Sequence, residues 1–285
     1  MERTQPNRAA VGLVLRRSVR ALGIEEFYTE FMGGVEEALA THETPLILQV
    51  VPDLASELDA YRRWSEGQRV VGVILVDLLA LDDPRLELVS ELAIHCVMLT
   101  PDPAPSAGAA VVVDEASPML EVVRHLADLG HTNIGRVSGP SEFVHTVRRS
   151  EAFASACETV GVRGVVAEGD YTPEAGRAAV EVLLCADPAP TALVFDNDVM
   201  AVAAIAYLRE RGLAVPEGMS VIAWDDSAAC RLATPPLAAL RRDVRGLGEQ
   251  VATALLDSIE SGRPATYAAE TPHLVVRAST GIPRG

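Results

Sequence analysis

The sequence contains no lysine, although it is 285 residues long. All 24 of its basic residues are arginine. An arginine side chain stays protonated at physiological pH and cannot serve as a neutral amine. This absence excludes the Walker A lysine of nucleotide-binding loops, the lysine that forms a Schiff base with pyridoxal phosphate, and mechanisms that need a lysine nucleophile.

A basic surface is lacking as well. The formal net charge is −16 at pH 7, whereas binding to nucleic acid depends on basic side chains that neutralise phosphates. The charge is uneven, because five arginines against Glu2 give the first 20 residues a net charge of +4 and leave −20 for the rest. We therefore expect no direct contact between this acidic body and DNA. The five are Arg3, Arg8, Arg16, Arg17 and Arg20.

Paired cysteines, clustered histidines and long apolar runs are also missing. The four cysteines have no spacing typical of a disulfide framework or a zinc site, and the six histidines show no metal-ligand pattern. The sequence has no signal segment, and no apolar run approaches the roughly 18 residues of a membrane span. We expect a soluble cytoplasmic protein without metal, cofactor or membrane contact. The cysteines are Cys96, Cys157, Cys185 and Cys230.

Short apolar runs alternate with longer amphipathic segments. Runs that are apolar on both faces and rich in valine and isoleucine are typical of a parallel sheet covered by helices on both sides. The length suits two lobes of roughly 100 to 150 residues. The sequence therefore predicts an α/β fold with doubly wound parallel sheets. The predicted strands are Val11–Leu15, Leu46–Val51, Val70–Val76, Cys96–Leu99, Ala110–Val113, Ile134–Ser138, Gly164–Ala167, Ala192–Phe195 and Ser220–Trp224, with a last extended stretch at His273–Val276.

The predicted helices have recognisable ends. Asp53 is placed to cap one helix, and Gly130 and Gly212 follow two others, as glycine does at helix C-termini. The predicted helices are Glu25–Ala40, residues 54–65, Pro118–Leu129, Val199–Arg211 and Val244–Ile259.

Polar side chains follow several predicted strands, where open parallel sheets bind their ligands. Asn197 offers a donor and an acceptor to a hydroxylated ligand, and one of the two carboxylates at 225 and 226 is placed to accept hydroxyl hydrogens. Helix capping is an equally good interpretation of Asp198, because Asn and Asp are favoured N-caps. The adjacent acidic pairs, such as Asp82 with Asp83, are predicted to be solvated rather than catalytic.

Two more candidates are an arginine and a tyrosine. Arg149 is predicted at the start of a helix, where a cation is disfavoured and is therefore expected to have a partner. Tyr171 lies in a loop, and its ring is suited to stack on a sugar. Packing of the tyrosine on its own helix is the structural alternative.

Taken together, these motifs resemble the effector-binding region of the LacI/GalR family of bacterial transcription regulators, which is itself similar to periplasmic sugar-binding proteins. The resemblance runs from about Val11 to Thr280. Its marks occur in the family's order, and they are Val11–Val14, His125-Leu126, Leu129-Gly130-His131, Ile134-Gly135, Arg149 with Phe153, Asn197-Asp198 with Ala201, Val215-Pro216, Trp224-Asp225-Asp226, Pro235-Pro236-Leu237 and Val276–Thr280.

The resemblance implies a periplasmic-binding-protein-like type I fold of two lobes joined by three crossovers, with a small polar effector held between them. The lobes would comprise residues 11–113 with 243–269, and 114–242 with 270–285, after a lead-in of residues 1–10. It implies a homodimer that passes the effector signal to DNA-binding headpieces. The effector contacts it implies are Arg149, Asn197, Asp225, Tyr171, His145, Thr100 and Arg242, and Arg16 is added as a further arginine at the same cleft.

The sequence also departs from the family pattern. Only ten residues precede Val11, where the family has its helix-turn-helix and hinge helix. We therefore expect either that operator DNA is bound only through a headpiece outside this sequence, or that the chain is a free-standing sensor. Arg242 stands where many relatives have glutamine, and Asp114-Glu115 replaces a common Asp-Asn pair. Three arginines around one cleft favour an anionic effector, such as a sugar acid or sugar phosphate, over a neutral sugar.

Two other functions remain as alternatives. A periplasmic-type sugar-binding protein of a transport system would share the fold but would need a signal segment for export. A hydrolase or isomerase would need an acid-base pair or a metal cluster at the strand ends, and the sequence shows neither. We therefore predict a non-enzymatic ligand sensor of a LacI-type regulator.

Overall fold

The computed structural model describes residues 9–16, 26–102 and 108–284. They form two compact units, one of the chain up to Val113 with Asp243–Ala269, and one of Asp114–Arg242 with the chain from Glu270 onward. Several predictions lie outside the described residues, namely residues 1–8 of the lead-in, Glu25 of the first helix, and Arg3, Arg8, Arg17 and Arg20 of the basic start.

The first unit is a parallel sheet with helices. Within the described residues its elements are β1 (Ala10–Arg16), α1 (Glu26–Ala40), β2 (Leu46–Val51), α2 (Leu54–Glu66), β3 (Val70–Leu75), α3 (Pro84–Glu91), β4 (His95–Thr100), β5 (Ala109–Val112), α9 (Val244–Ser261) and β11 (Thr266–Ala268). The strand order is β11-β5-β4-β3-β1-β2, and every pairing is parallel. The interior strand β1, which lies between β3 and β2, is buried along nearly its whole length, as its uninterrupted apolar run predicts.

The second unit repeats this arrangement. Its described elements are α4 (Ala116–Asp128), β6 (Asn133–Ser138), α5 (Val144–Val160), β7 (Arg163–Glu168), α6 (Pro173–Leu184), β8 (Ala192–Phe195), α7 (Asp198–Glu210), β9 (Ser220–Trp224), α8 (Ala228–Leu232), β10 (Ala238–Arg241) and β12 (His273–Val275). The order is β12-β10-β9-β8-β6-β7, and only β12 runs antiparallel to its neighbour among the described strands. The predicted α/β class with parallel sheets is confirmed.

The predicted helix ends agree with the structure. Asp53 caps α2, because its carboxylate accepts a 2.8 Å hydrogen bond from the backbone N–H of Ser56. Gly130 and Gly212 follow α4 and α7 with φ of 99° and 75°, a conformation that glycine adopts without a Cβ penalty.

The structure corrects the prediction for Asp83. Its side chain is 3% exposed rather than solvated, because it caps α3 and pairs with the buried guanidinium of Arg85 at 2.6 Å. The helices α3 and α8, together with the short strands β10 and β11, are absent from the sequence-based prediction.

Candidate functional site

The predicted ligand contacts of the second unit gather at one edge of its sheet. Strands β6 to β10 all run parallel, so their carboxyl ends share that edge. The segments that follow these ends, and the first half of α5, hold six of the eight predicted residues, namely His145, Arg149, Tyr171, Asn197, Asp225 and Arg242.

Arg149 is buried and paired. Its Nε donates to Oε2 of Glu115 at 2.7 Å, its Nη2 donates to Oε1 at 3.2 Å, and its Nη1 donates to the carbonyl oxygen of Asp196 at 3.2 Å. The guanidinium also lies over the Trp224 ring, 4.1 Å from the centroid. Burial alone would lower the pKa of Arg149, but the charges of Glu115 and Asp196 raise it above its usual range.

The expected partner of Arg149 is therefore present, but the physical reason differs from the prediction. Arg149 is the sixth residue of α5, not its first. The field of the helix dipole falls off within the first turn, so it has little influence at this position. The partner is required instead because the cation is 6% exposed, and a buried charge must be compensated.

Tyr171 joins three segments of this edge. Its hydroxyl lies 2.7 Å from Nε2 of His145 and 3.2 Å from Oγ1 of Thr146, and its carbonyl accepts a hydrogen bond from the Asn197 side chain at 3.1 Å. A Cβ at Gly139 would lie 2.0 Å from the tyrosine Oη, so only glycine fits there. Tyr171 itself has φ of 69°, in the left-handed region.

Asn197, and not Asp198, is the N-cap of α7. Its Oδ1 accepts a 2.9 Å hydrogen bond from the backbone N–H of Met200. Asp198 is the first residue of the helix and is 8% exposed. Burial, and then the nearby charge of Asp225, raise the pKa of Asp198 from 3.8 to about 6 although a hydrogen bond with Ser227 lowers it.

The two adjacent carboxylates after β9 have different partners. Asp225 accepts a 2.9 Å hydrogen bond from Nη2 of Arg242 and has φ of 69°. Asp226 is held by Arg241 at 2.7 Å and by Arg277 at 2.7 Å. Asp226 therefore stiffens the turn, and Asp225, with a side chain that is 20% exposed, is the more accessible of the two.

Arg16 and Thr100 lie in the first unit, at the ends of β1 and β4. Nε of Arg16 is 2.9 Å from Oε2 of the buried Glu57, and Nη2 donates to the carbonyl oxygen of Asp77 at 3.0 Å. Oγ1 of Thr100 accepts a 3.1 Å hydrogen bond from the backbone N–H of Asp102. Both residues thus lie at strand ends, as predicted, and both stay predictions as ligand contacts.

Comparison with known proteins agrees with this architecture. The family model described as a periplasmic binding protein-like domain matches residues 123–280. The uncharacterized HTH-type transcriptional regulator in the aml 5' region of Streptomyces limosus is 33% identical over 290 residues, which cover 95% of this chain and 82% of that protein. The HTH-type transcriptional regulator CelR of Thermobifida fusca is 30% identical over 291 residues, with coverages of 96% and 85%.

Solved structures give the same result. A LacI family transcriptional regulator from Bifidobacterium animalis subsp. lactis DSM 10140 superposes with a TM-score of 0.86 at 32% identity, and the match covers 96% of this chain and 98% of the other. This chain belongs to the LacI family of transcriptional regulators. A complex of the regulator CelR with cellobiose superposes with a TM-score of 0.87 at 28% identity, with coverages of 96% and 86%.

Membership of the LacI family separates this chain from enzymes that share its fold class, because the relatives named above are transcriptional regulators. Among the described residues, no group of three or more His, Cys, Asp or Glu side chains is suited to hold a metal ion. No helix in the described part of the chain is long and apolar enough to cross a membrane.

Two thiols of the second unit are buried and hard to ionise. Burial raises the pKa of Cys157 to about 11 and that of Cys230 to about 12.

Two buried charged residues behind the candidate site were missed by sequence reasoning. Asp196 is 2% exposed and Arg136 is 0% exposed, and their side chains form two hydrogen bonds of 2.8 and 2.5 Å. Both are charged residues within or directly after otherwise apolar strands. A charged residue in an apolar strand is almost never buried unless it is paired. The position of these two charges in the sequence could therefore have indicated a buried ion pair.

Proposed function

We propose that this chain senses a neutral saccharide, bound at the carboxyl-end edge of the sheet in the second unit, and thereby controls the activity of a LacI-family regulator. The proposal rests on one observation: the arginines at this edge are already ion-paired. Arg149 lies 2.7 Å from Glu115, and Arg242 lies 2.9 Å from Asp225. An anionic ligand would therefore gain little from their charge.

This pairing removes the electrostatic argument for an anionic effector. That expectation treated Arg16, Arg149 and Arg242 as unbalanced positive charges. Arg16 also has a carboxylate partner, since its Nε is 2.9 Å from Glu57. Sugar acids and sugar phosphates are therefore less favoured than neutral sugars.

The chemistry of the edge suits a hydroxylated ligand. A carboxylate such as Asp225 accepts hydrogen bonds from hydroxyl groups, and guanidinium and amide groups such as those of Arg149 and Asn197 donate to hydroxyl oxygens. The Tyr171 ring offers an apolar face to a sugar ring. The similarity to CelR, whose solved complex contains cellobiose, supports the same class of ligand.

A ligand screen tests the proposal. We expect cellobiose or another neutral disaccharide to raise the melting temperature, because a ligand that binds only the folded state stabilises it by mass action. Gluconate and glucose 6-phosphate at the same concentrations are the anionic comparators. A larger shift with either anion would favour the anionic alternative, and no shift with any saccharide would contradict the proposed function.

A matched pair of substitutions tests the site. Asp225→Asn is expected to weaken the affinity for the identified saccharide about tenfold, because a charge-assisted hydrogen bond is replaced by a neutral one. Asp226→Asn is the control, since the neighbouring carboxylate is held by Arg241 and Arg277. It is expected to lower the melting temperature with little change in Kd, as measured by isothermal titration calorimetry. Equal Kd values for Asp225→Asn and the parent would show that Asp225 makes no contact.

We also propose that the chain forms a homodimer, as a regulator of two-fold symmetric operator DNA requires. Large apolar side chains at the surface, such as Leu232 at 82% exposure, are consistent with a buried subunit interface. Sedimentation equilibrium should give twice the 30.3 kDa mass of one chain. A monomer at micromolar concentration would contradict this proposal without affecting the saccharide site.

A further inference from the structure

A buried ion pair lies directly behind the predicted effector contacts of the second unit. The Arg136 side chain extends from β6, and Asp196 follows the end of β8. Nε and Nη2 of the arginine donate to the two carboxylate oxygens at 2.8 and 2.5 Å. Both side chains are 0% exposed, so neither can contact an effector in solution directly.

The pair joins the segments on which the predicted contacts lie. The third donor of Arg136, Nη1, binds Oγ of Ser150 at 2.8 Å on α5, the helix that holds His145 and Arg149. Oδ2 of Asp196 also accepts a hydrogen bond from the backbone N–H of Gly139 at 3.2 Å, which fixes the loop that faces Tyr171.

The backbone of Asp196 completes the link. Its carbonyl oxygen accepts a hydrogen bond from Nη1 of Arg149 at 3.2 Å, and the next residue is Asn197. The orientation of the Asp196 peptide therefore sets the position of Asn197 directly, because the two residues are adjacent. It also sets the position of Arg149 through the hydrogen bond. A bidentate pair fixes that orientation more tightly than a single hydrogen bond does.

We propose that Arg136 and Asp196 are positioning residues of the effector site: the bidentate pair orients the Asp196 peptide, and this holds the Arg149 guanidinium over Trp224 and Asn197 at the ligand edge. The proposal rests on the proposed function for its ligand, but the placement of Arg149 over Trp224 is measurable without any ligand. Asp225 and Arg242 follow β9 and β10, and their pair is expected to be independent of this network.

Charge and burial explain why the pair is sensitive to substitution. Burial opposes ionisation, but the positive charges of Arg136 and Arg149 hold the pKa of Asp196 below its usual value. Removal of one partner would leave a buried charge uncompensated and would endanger folding. The informative variant is therefore the neutral double substitution Arg136→Gln with Asp196→Asn, because the asparagine side-chain oxygen can still accept from the Gly139 N–H.

The first readout is the fluorescence of Trp224. A guanidinium at 4.1 Å influences the indole emission, and Trp64 in the first unit gives a background that is the same in every variant. Arg149→Met defines the spectral change that follows loss of the guanidinium. The double variant is expected to reproduce a measurable part of that change, because Arg149 loses its fixed contact with the Asp196 carbonyl while its pair with Glu115 remains.

Two controls separate positioning from stability. Arg277→Gln removes an arginine partner of a different buried carboxylate, Asp226, in the same unit, and is expected to lower the melting temperature with an unchanged spectrum. Arg136→Lys keeps the charge but loses the planar fork and is expected to give an intermediate spectrum. A double variant that is destabilised but has the parent spectrum would overturn the proposal, because the pair would then be structural only.

The second readout is affinity for cellobiose, or for the neutral disaccharide that gives the largest thermal shift. We expect the double variant to bind about tenfold more weakly, and Arg277→Gln to bind as the parent does. An unchanged Kd in the double variant would overturn the proposal. If no saccharide binds the parent, the proposed function fails, and the fluorescence comparison still decides the positioning role.

Discussion

Asp198 shows how one residue at the candidate site lowers the stability of the fold. Its carboxylate is buried beside Asp225, and its pKa is raised from 3.8 to about 6. A raised carboxyl pKa means that the folded state binds the proton more tightly than the unfolded state does. The free energy of unfolding therefore falls as pH rises from about 4 to above 6.

Asp198→Asn is expected to increase the free energy of unfolding at pH 7.5 by about 2 kcal/mol, because the amide removes the buried charge. At pH 4 the gain should disappear, since the parent carboxyl is then protonated in the folded state. Urea unfolding at both pH values measures the difference. Asp59→Asn, at an exposed position, is the control, and an equal effect of the two substitutions would contradict the assignment.

At this scale, the sequence indicated that a side chain needs a partner but not which residue that partner is. Arg149 is recognisable as an arginine that needs compensation, but Glu115 and the Asp196 carbonyl are 34 and 47 residues away in the chain. Spacing along one helix or strand carries no information about such contacts. The same holds for Arg16, whose partner Glu57 comes from α2.

The packing of α1 against α9 depends on glycines at the crossing. A Cβ at Gly34 would lie 1.8 Å from the carbonyl oxygen of Arg245, and a Cβ at Gly248 would lie 2.1 Å from that of Phe31. The two backbones therefore approach more closely than any side chain allows. The neighbouring Gly33 faces only the flexible end of the Arg245 side chain, at 2.9 Å.

This difference predicts opposite effects for two adjacent substitutions. Gly34→Ala should decrease the free energy of unfolding by about 2 kcal/mol or more, because the helices must move apart. Gly33→Ala should be neutral or should increase it by up to about 1 kcal/mol through helix propensity. Urea unfolding of both variants measures the effects, and destabilisation of equal size would show that the crossing does not depend on Gly34.

Elements with a strong local pattern were predictable, and short elements fixed by distant pairing were not. The buried strands and the glycine stops after α4 and α7 follow directly from apolar runs and helix-end signals. In contrast, β11 has three residues and pairs with β5, more than 150 residues earlier in the chain. The helix α3 was missed because its acidic start suggested solvent, whereas Asp83 is buried against Arg85.

At the scale of the whole molecule, the stability of the fold depends on pH through His131, which contacts the C-terminal segment at Gly281. His131 is buried, with Nδ1 2.7 Å from Oγ1 of Thr191 and Nε2 3.0 Å from the carbonyl oxygen of Gly281. Burial lowers the pKa of His131 below 6.5, in spite of the hydrogen bond to Gly281. Its contribution to stability is thus complete above about pH 6.5 and is lost as pH falls towards the folded-state pKa.

His131→Gln is expected to flatten this part of the pH profile. Between pH 7.5 and 5.5 the free energy of unfolding should fall less, or rise more, in the variant than in the parent, even if the variant is less stable at both values. Urea unfolding at the two pH values gives the comparison. An identical pH dependence in both proteins would mean that another group titrates in this range.

The fold class was predictable at this scale because two repeats of a strand-helix pattern permit few architectures. The charge balance at the strand ends was not. It depends on which carboxylates pair with the arginines, and Glu115 and Glu57 come from other segments than Arg149 and Arg16 do. A count of arginines in the sequence predicts an anionic effector without regard to these partners, and the identity of the effector stays a prediction.

The burial of the cysteines has a practical consequence for chemical labelling. Cys96, Cys157 and Cys230 are buried, whereas Cys185 is exposed at the C-terminal end of α6. Only a thiolate reacts rapidly with maleimides or disulfide reagents, and burial both blocks access and suppresses ionisation. The native protein therefore offers one readily modified thiol, at which a fluorophore or spin label could be attached without engineering of the chain.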